Sequence, residues 1–72
     1  MTEYTVLYEF GKRNWSAYVP DLPGCIATGK NRKMVEKLIR AAIEFHIEGI
    51  LARGETVPQP SVEAGTVSIA AR

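Results

Sequence analysis

Two groups of side chains in this 72-residue sequence have the types that catalysis needs. Cys25 and His46 could act as a thiol nucleophile and its base. However, Cys25 begins a short apolar stretch and His46 falls within an apolar helical pattern, so we interpret Cys25 as a core residue and His46 as a buried, hydrogen-bonded one. Glu3, Glu9 and Asp21 are too few to hold the two metal ions of a nuclease. The sequence therefore predicts no enzyme, no cofactor and no metal site.

A third group could bind phosphate. Residues 26–40 carry a net charge of +4, against −1 for residues 1–25 and −2 for residues 41–72, which sums to the +1 of the chain. Lys30, Arg32 and Lys33 lie where a helix should begin, and helix N-termini present N–H groups to anions. Lys37 and Arg40 follow on the same helix. A solvated helix face is the simpler interpretation, because few aromatic side chains accompany these cations.

Length and composition restrict the class of protein. A chain of this size forms one domain, residues 1–72, and buries only about 60% of its unfolded surface. A single cysteine excludes an internal disulfide, and one Cys with one His is a poor basis for zinc. The N-terminus lacks a signal-peptide pattern and no apolar run approaches about 20 residues, so we expect a cytoplasmic protein.

The hydropathy pattern predicts an α+β fold in the order βββαβ. Alternating apolar residues indicate strands, and a wide apolar arc bounded by Asn31 and Gly54 indicates a helix. The predicted strands are residues 4–10, 15–19, 25–28 and 66–70, and the predicted helix is residues 32–53. The result is a mixed four-stranded sheet with one helix on one face. The apolar arc of the helix is too wide for one sheet, and the other face of the sheet stays uncovered, which predicts a homodimer or higher homo-oligomer.

The segment between the second and third strands, residues 20–24, is named here the elbow. Pro20 and Pro23 have restricted φ angles and Gly24 permits φ > 0, so the elbow should be stiff and exposed. It should present Asp21 as an acid and Leu22 as an apolar knob. Asp21 could anchor a basic partner or bond its own loop backbone, and the residues leave both interpretations open.

The elbow and its surroundings resemble the HicB antitoxin family. The resemblance rests on residues 17–25 (Ala-Tyr-Val-Pro-Asp-Leu-Pro-Gly-Cys), on Ala-Thr-Gly at 27–29, on residues 41–49 within the helix and on Gly-Glu-Thr-Val-Pro-Gln-Pro at 54–60. It covers residues 4–62. Where relatives place acids at the helix start, this sequence has Lys30, Asn31, Arg32 and Lys33.

The resemblance implies a partial ribonuclease-H-like fold and an antitoxin that binds and occludes a HicA-like mRNA interferase toxin. The implied partner-binding residues are Tyr18, Asp21, Leu22, Pro23 and Glu55. Many relatives carry a C-terminal DNA-binding domain, and none is expected here, so DNA binding by this chain alone is not expected. The alternative interpretation is a small nucleic-acid-binding module that uses the cations at the helix start.

Overall fold

A computed structural model describes residues 2–71 and has three strands and one helix within that range. The strands are β1 (Leu7–Phe10), β2 (Trp15–Tyr18) and β3 (Ile26–Gly29), and the helix is α1 (Arg32–Ala52). The strands pair antiparallel in the order β1-β2-β3. The predicted α+β class and the first four elements are confirmed, although β1 is shorter than residues 4–10.

The register of the sheet determines which side chains face the helix. Tyr8, Ala17 and Ala27 are directly opposed across the three strands and therefore share one face. Ala17 is fully buried, and a Cβ on Gly29 would lie 3.0 Å from a methyl group of Val35. The absence of a side chain at Gly29 therefore lets α1 approach β3 closely.

Both ends of α1 have the caps that the sequence predicts. The Asn31 side chain accepts a hydrogen bond from the Met34 N–H at 2.8 Å. At the other end the Gly54 N–H donates to the Leu51 carbonyl and the Glu55 N–H donates to the Ile50 carbonyl, both at 3.0 Å. With Gly54 at φ +72°, this is a Schellman motif, so the helix ends where left-handed backbone is available.

The predicted fourth strand is wrong for the isolated chain. Residues 66–70 belong to no strand, and Val67 and Ile69 are 82% and 79% exposed. The local pattern has strand character, but a strand requires a hydrogen-bonded neighbour and a covered apolar face. Neither is supplied to this segment here, so its local preference alone does not produce a strand.

The helix covers only part of the sheet. It packs mainly over β2 and β3, and a groove of about 820 Å³ separates it from the β1 side. The buried core is small and consists of Ala17, Val19, Leu22, Cys25, Val35, Ile39 and Ile50. One face of the sheet and this groove therefore leave apolar surface open, and so does the outer side of α1, where Leu38, Phe45 and Leu51 are exposed.

Candidate protein-binding surface

The elbow consists of two successive turns. The Leu22 N–H donates to the Val19 carbonyl at 3.0 Å, and the Cys25 N–H donates to the Leu22 carbonyl at 3.0 Å. Each turn has a proline at its second position, where a φ near −65° is required. Gly24 follows at φ +86°, which makes the second turn type II. The stiffness predicted for the elbow therefore has a defined hydrogen-bonded basis.

Leu22 does not form the exposed knob that the sequence predicted. Its side chain is 0% exposed and is the largest among the fully buried ones. The first turn directs it into the core with Val19 and Cys25. An exposed leucine on a 72-residue domain would leave apolar area in water, whereas its burial adds to a small core. Leu22 therefore anchors the elbow in the core and is not available for direct contact with a partner.

Asp21 does not bond its own loop backbone, which was one of the two interpretations left open for it. Its carboxylate accepts hydrogen bonds from the Ser61 hydroxyl at 2.6 Å, the Ser61 N–H at 3.0 Å and the Val62 N–H at 3.2 Å. These bonds favour the charged form, so the Ser61 hydroxyl first, and then the backbone donors, lower the pKa of Asp21. Asp21 thus fastens the elbow to a segment 40 residues further along the chain.

Two side chains near the N-terminus hold the same segment. The Tyr4 hydroxyl donates to the Pro58 carbonyl at 2.6 Å, and the Thr5 hydroxyl donates to the Val62 carbonyl at 2.6 Å. Val57 and Pro58 are half-buried, and Val57 packs against the core. The proline-rich connection after α1 is therefore fixed at both the elbow and the approach to β1.

The sheet face opposite α1 carries an apolar row. Leu7 is opposed to Tyr18, and Tyr18 is opposed to Ile26, so the three side chains are neighbours across all three strands. Tyr18 is 44% exposed and Ile26 is 63% exposed. Pro23 is exposed on the elbow that connects β2 to β3. We name Leu7, Tyr18, Ile26 and Pro23 the open-face surface.

Tyr18 and Pro23 of this surface are among the predicted partner-binding residues, whereas Ile26 and Leu7 are not. The signal for Ile26 was present, because Cys25 and Ala27 alternate with it and both face the core. No local signal pointed to Ser61, since its partner Asp21 is distant in the sequence. Glu55 is exposed at the end of α1, where it accepts a hydrogen bond from the Arg53 guanidinium at 3.0 Å.

The cations at the start of α1 are partly engaged. The Arg32 guanidinium donates to Glu36 at 3.1 Å and lies over the Tyr8 ring, 4.0 Å from its centroid. Lys30 and Lys33 are exposed. The first turn of the helix has no acid, so these charges oppose the helix dipole. Arg32 therefore stabilises the contact between α1 and β1 instead of pointing freely to solvent.

The residues considered for catalysis differ in burial. Cys25 is buried, and burial raises the pKa of its thiol, which disfavours the reactive thiolate. His46 is half-buried instead of buried, and Glu9 is exposed on β1. Within residues 2–71 no three His, Cys, Asp or Glu side chains group as metal ligands. In the same range α1 lacks the sustained hydropathy that a membrane-spanning helix requires.

These features define a small α+β domain whose distinctive surface is apolar and suited to contact with another protein. Residues 4–68 match the family model described as the HicB-like antitoxin of bacterial toxin–antitoxin systems. The chain belongs to the HicB-like antitoxin family.

Two curated proteins are similar to this chain. An uncharacterised 14.9 kDa protein from the rep-hol intergenic region of Haemophilus phage HP1 is 34% identical over 56 residues, which are 78% of this chain and 42% of the relative. The UPF0150 protein Ta0767 of Thermoplasma acidophilum is 39% identical over 49 residues, which are 68% of this chain and 71% of the relative. The chain thus spans less than half of the phage relative. No solved structure matches the chain.

Proposed function

We propose that this protein is an antitoxin that binds a HicA-like mRNA interferase toxin and covers the toxin's RNA-binding surface. Family membership supplies the class of partner. The observation that carries the location is the apolar row of Leu7, Tyr18 and Ile26 on the uncovered sheet face. Occlusion requires a surface that is held still, and it requires no catalytic group from this chain.

The open-face surface has the properties of a binding surface. Tyr18 combines an apolar ring with a polar hydroxyl, a combination that is enriched in protein interfaces. Burial of an exposed side chain of the size of Ile26 contributes about 1.5–3 kcal/mol. Pro23 extends the apolar surface on to a loop that loses little entropy when it binds.

The acidic candidates have different positions in this proposal. Asp21 is partly exposed and has three donors from the chain itself, so it supports the loop and presents its remaining lone pairs to a basic toxin. Glu55 shares its carboxylate with Arg53. We place both at the margin of the contact, where exposed ion pairs contribute about 0–1 kcal/mol.

A growth-rescue experiment tests the proposal. A HicA-like toxin is co-expressed with the wild-type chain, with Ile26→Glu or with Leu51→Glu. Leu51 is 60% exposed on α1, so the control places the same charge at a site of matched exposure away from the sheet. We expect rescue and co-purification with wild type and Leu51→Glu. We expect at least tenfold weaker binding with Ile26→Glu, since 1.4 kcal/mol corresponds to a factor of ten.

Circular dichroism verifies that each variant is folded before binding is compared. Failure of the wild-type chain to rescue growth or to co-purify with the toxin contradicts the antitoxin function. Equal binding by Ile26→Glu and wild type contradicts the proposed location of the toxin contact but not the proposed antitoxin function.

The competing interpretation is a nucleic-acid-binding module. Arg32 is exposed but already pairs with Glu36 and lies over Tyr8, so Lys30 and Lys33 remain as the other exposed cations of the predicted phosphate site. A filter-binding titration with RNA distinguishes the two functions, because phosphate contacts release counterions and make affinity fall steeply with salt. We expect no binding at low salt.

Self-association is the second part of the proposal. The groove between β1 and α1 is uncovered, and the predicted ribonuclease-H-like arrangement requires a fourth strand that does not form within residues 2–71. We therefore propose that the protein acts as a homo-oligomer and completes this arrangement only when assembled. Sedimentation equilibrium of the full chain tests it, with a single monomeric species as the contradicting result.

A further inference from the structure

The groove between β1 and α1 has an apolar interior. Tyr4, Val6 and Tyr8 line it from the β1 side, and Ile39, Ile43 and Ile47 line it from the helix. Its charged residues, among them Lys37 and Glu44, are exposed and of mixed sign. Within residues 2–71 the outer edge of β1 has no paired strand, because β1 is at the end of the sheet. An apolar groove beside a free edge is suited to an added strand whose alternate side chains are apolar.

The C-terminal segment of the same chain has the properties of such a strand. Residues 64–71 contain no charge and no proline. Val67 and Ile69 alternate with Thr66, Ser68 and Ala70, so a strand over this range has one apolar face. Val67 and Ile69 are also the most exposed large apolar side chains among the described residues. The chain therefore carries both an unfilled groove and an exposed segment whose sequence pattern is that of a strand.

The hydrogen bond between Thr5 and Val62 restricts how a chain could fill its own groove. A parallel strand that continued from Val62 along β1 would advance residue for residue, which would place residues 66–70 beside residues 9–13. β1 ends at Phe10, and the chain turns at Gly11, whose N–H donates to the Asn14 carbonyl at 2.8 Å. Most of the apolar segment would then lie beyond the strand that it should pair with.

A second copy is not subject to this offset, because its C-terminal segment is not tied to Thr5 of the chain whose groove it fills. We propose that two copies exchange their C-terminal segments, so that residues 66–70 of each copy add to the edge of β1 of the other. Val67 and Ile69 then enter the groove between β1 and α1, and Thr66, Ser68 and Ala70 lie on the outer face. The exchange is reciprocal and closes a symmetric dimer, in which both grooves are filled and both C-terminal segments are paired.

The exchanged segments specify which surface mediates the self-association proposed above, and the inference rests on that proposal. This surface is separate from the open-face surface, which lies on the opposite face of the sheet. A dimer formed in this way therefore leaves Tyr18 and Ile26 of both copies free for toxin.

Sedimentation equilibrium of three full-length chains tests the exchange. We expect wild type to be dimeric, and Val67→Asp to raise the dimer dissociation constant at least tenfold, because a carboxylate would enter an apolar groove. Ser68→Asp is the matched control. It adds the same charge one residue away, on the outer face, and we expect at most a twofold change.

Paramagnetic relaxation in mixed dimers identifies which copy fills the groove. Chains at natural isotope abundance that carry a nitroxide on Ser68→Cys are mixed with ¹⁵N-labelled wild-type chains. Because Cys25 is buried, the nitroxide attaches at the introduced thiol. We expect broadening of the Leu7–Phe10 amides of the labelled copy. When the nitroxide-carrying chain also has Val67→Asp, the broadening should disappear.

Each other outcome contradicts a defined part of the proposal. A wild-type dimer that Val67→Asp leaves intact, or a dimer without broadening at β1, overturns the exchange and retains self-association. A wild-type chain that stays monomeric at all concentrations overturns both. Neither result affects the antitoxin function, which the growth-rescue experiment tests separately.

Discussion

At the scale of single residues, the elbow is held by a carboxylate and a leucine whose roles differ from those that the sequence predicted. Asp21 joins the elbow to Ser61 and Val62 through three hydrogen bonds. Leu22 lies beneath the same loop in the core. The candidate surface therefore depends on the docking of residues 57–62, since Ser61 and Val62 hydrogen-bond to Asp21 of the elbow.

Acid pH should release this docked segment. The pKa of Asp21 is lowered in the folded chain, so the carboxylate stabilises docking fully above the ordinary aspartate range, at about pH 4. The stabilisation is lost as pH falls below that range through the lowered folded value. Amide proton exchange at Ser61 and Val62 measures the docking, and we expect protection to persist at pH 5 and to disappear in stronger acid.

The variant Asp21→Asn should increase exchange at Ser61 and Val62 several-fold at neutral pH, because the charged acceptor is removed. Glu63→Gln is the control, since it neutralises an exposed acid on the same segment. Equal protection in Asp21→Asn and wild type would show that the carboxylate does not hold the segment.

At the scale of elements, α1 is well capped but unfavourably charged at its start. Asn31 supplies the cap, while Arg32 and Lys33 occupy a first turn that carries no acid. Glu36, one turn further on, pairs with Arg32. The cap therefore contributes more to the start of the helix than the local charges do.

Two substitutions at Asn31 separate these effects. Asn31→Ala removes the acceptor for the Met34 N–H and should lower the free energy of unfolding by about 1 kcal/mol. Asn31→Asp keeps the acceptor and adds a negative charge at the helix N-terminus, so it should raise the free energy of unfolding by about 0.3–1 kcal/mol. Urea denaturation measures both, and equal stability of the two variants would contradict the assigned cap.

At the scale of the whole molecule, stability rests on a few side chains. Leu22, Val19 and Val35 are the largest fully buried ones, and they come from the elbow, from the end of β2 and from α1. The elbow is thus part of the core as well as part of the surface. A substitution that weakens packing in the core should therefore also disturb the elbow and the surface that it forms.

The substitution Leu22→Ala should lower the free energy of unfolding by about 2–5 kcal/mol, because it leaves a cavity in a small core. That loss is a large part of the total stability of a domain, about 5–15 kcal/mol. Leu51→Ala, on the exposed side of α1, should change the free energy by at most about 0.5 kcal/mol. Urea denaturation at one protein concentration compares them, and similar midpoints would show that Leu22 is not a core residue.

Much of the local structure could be predicted from the sequence. Alternation identified β1, β2 and β3, and Asn31 and Gly54 marked the ends of α1, because hydropathy periods and caps depend on neighbours within a few residues. The motif around the elbow also identified the family and, through it, Tyr18 and Pro23 as candidate surface. These features need no knowledge of distant contacts.

The tertiary structure decided the features that depend on distant residues. Whether Leu22 faces solvent, what Asp21 binds and whether residues 66–70 form a strand all depend on partners far along the chain or in another copy. The sequence by itself determined the three strands of the sheet, the helix, the rigid elbow and the family. Only the tertiary structure showed that Ser61 hydrogen-bonds to the elbow and that residues 66–70 have no strand to pair with. The physical reason is that burial and strand pairing depend on contacts between residues far apart in the sequence.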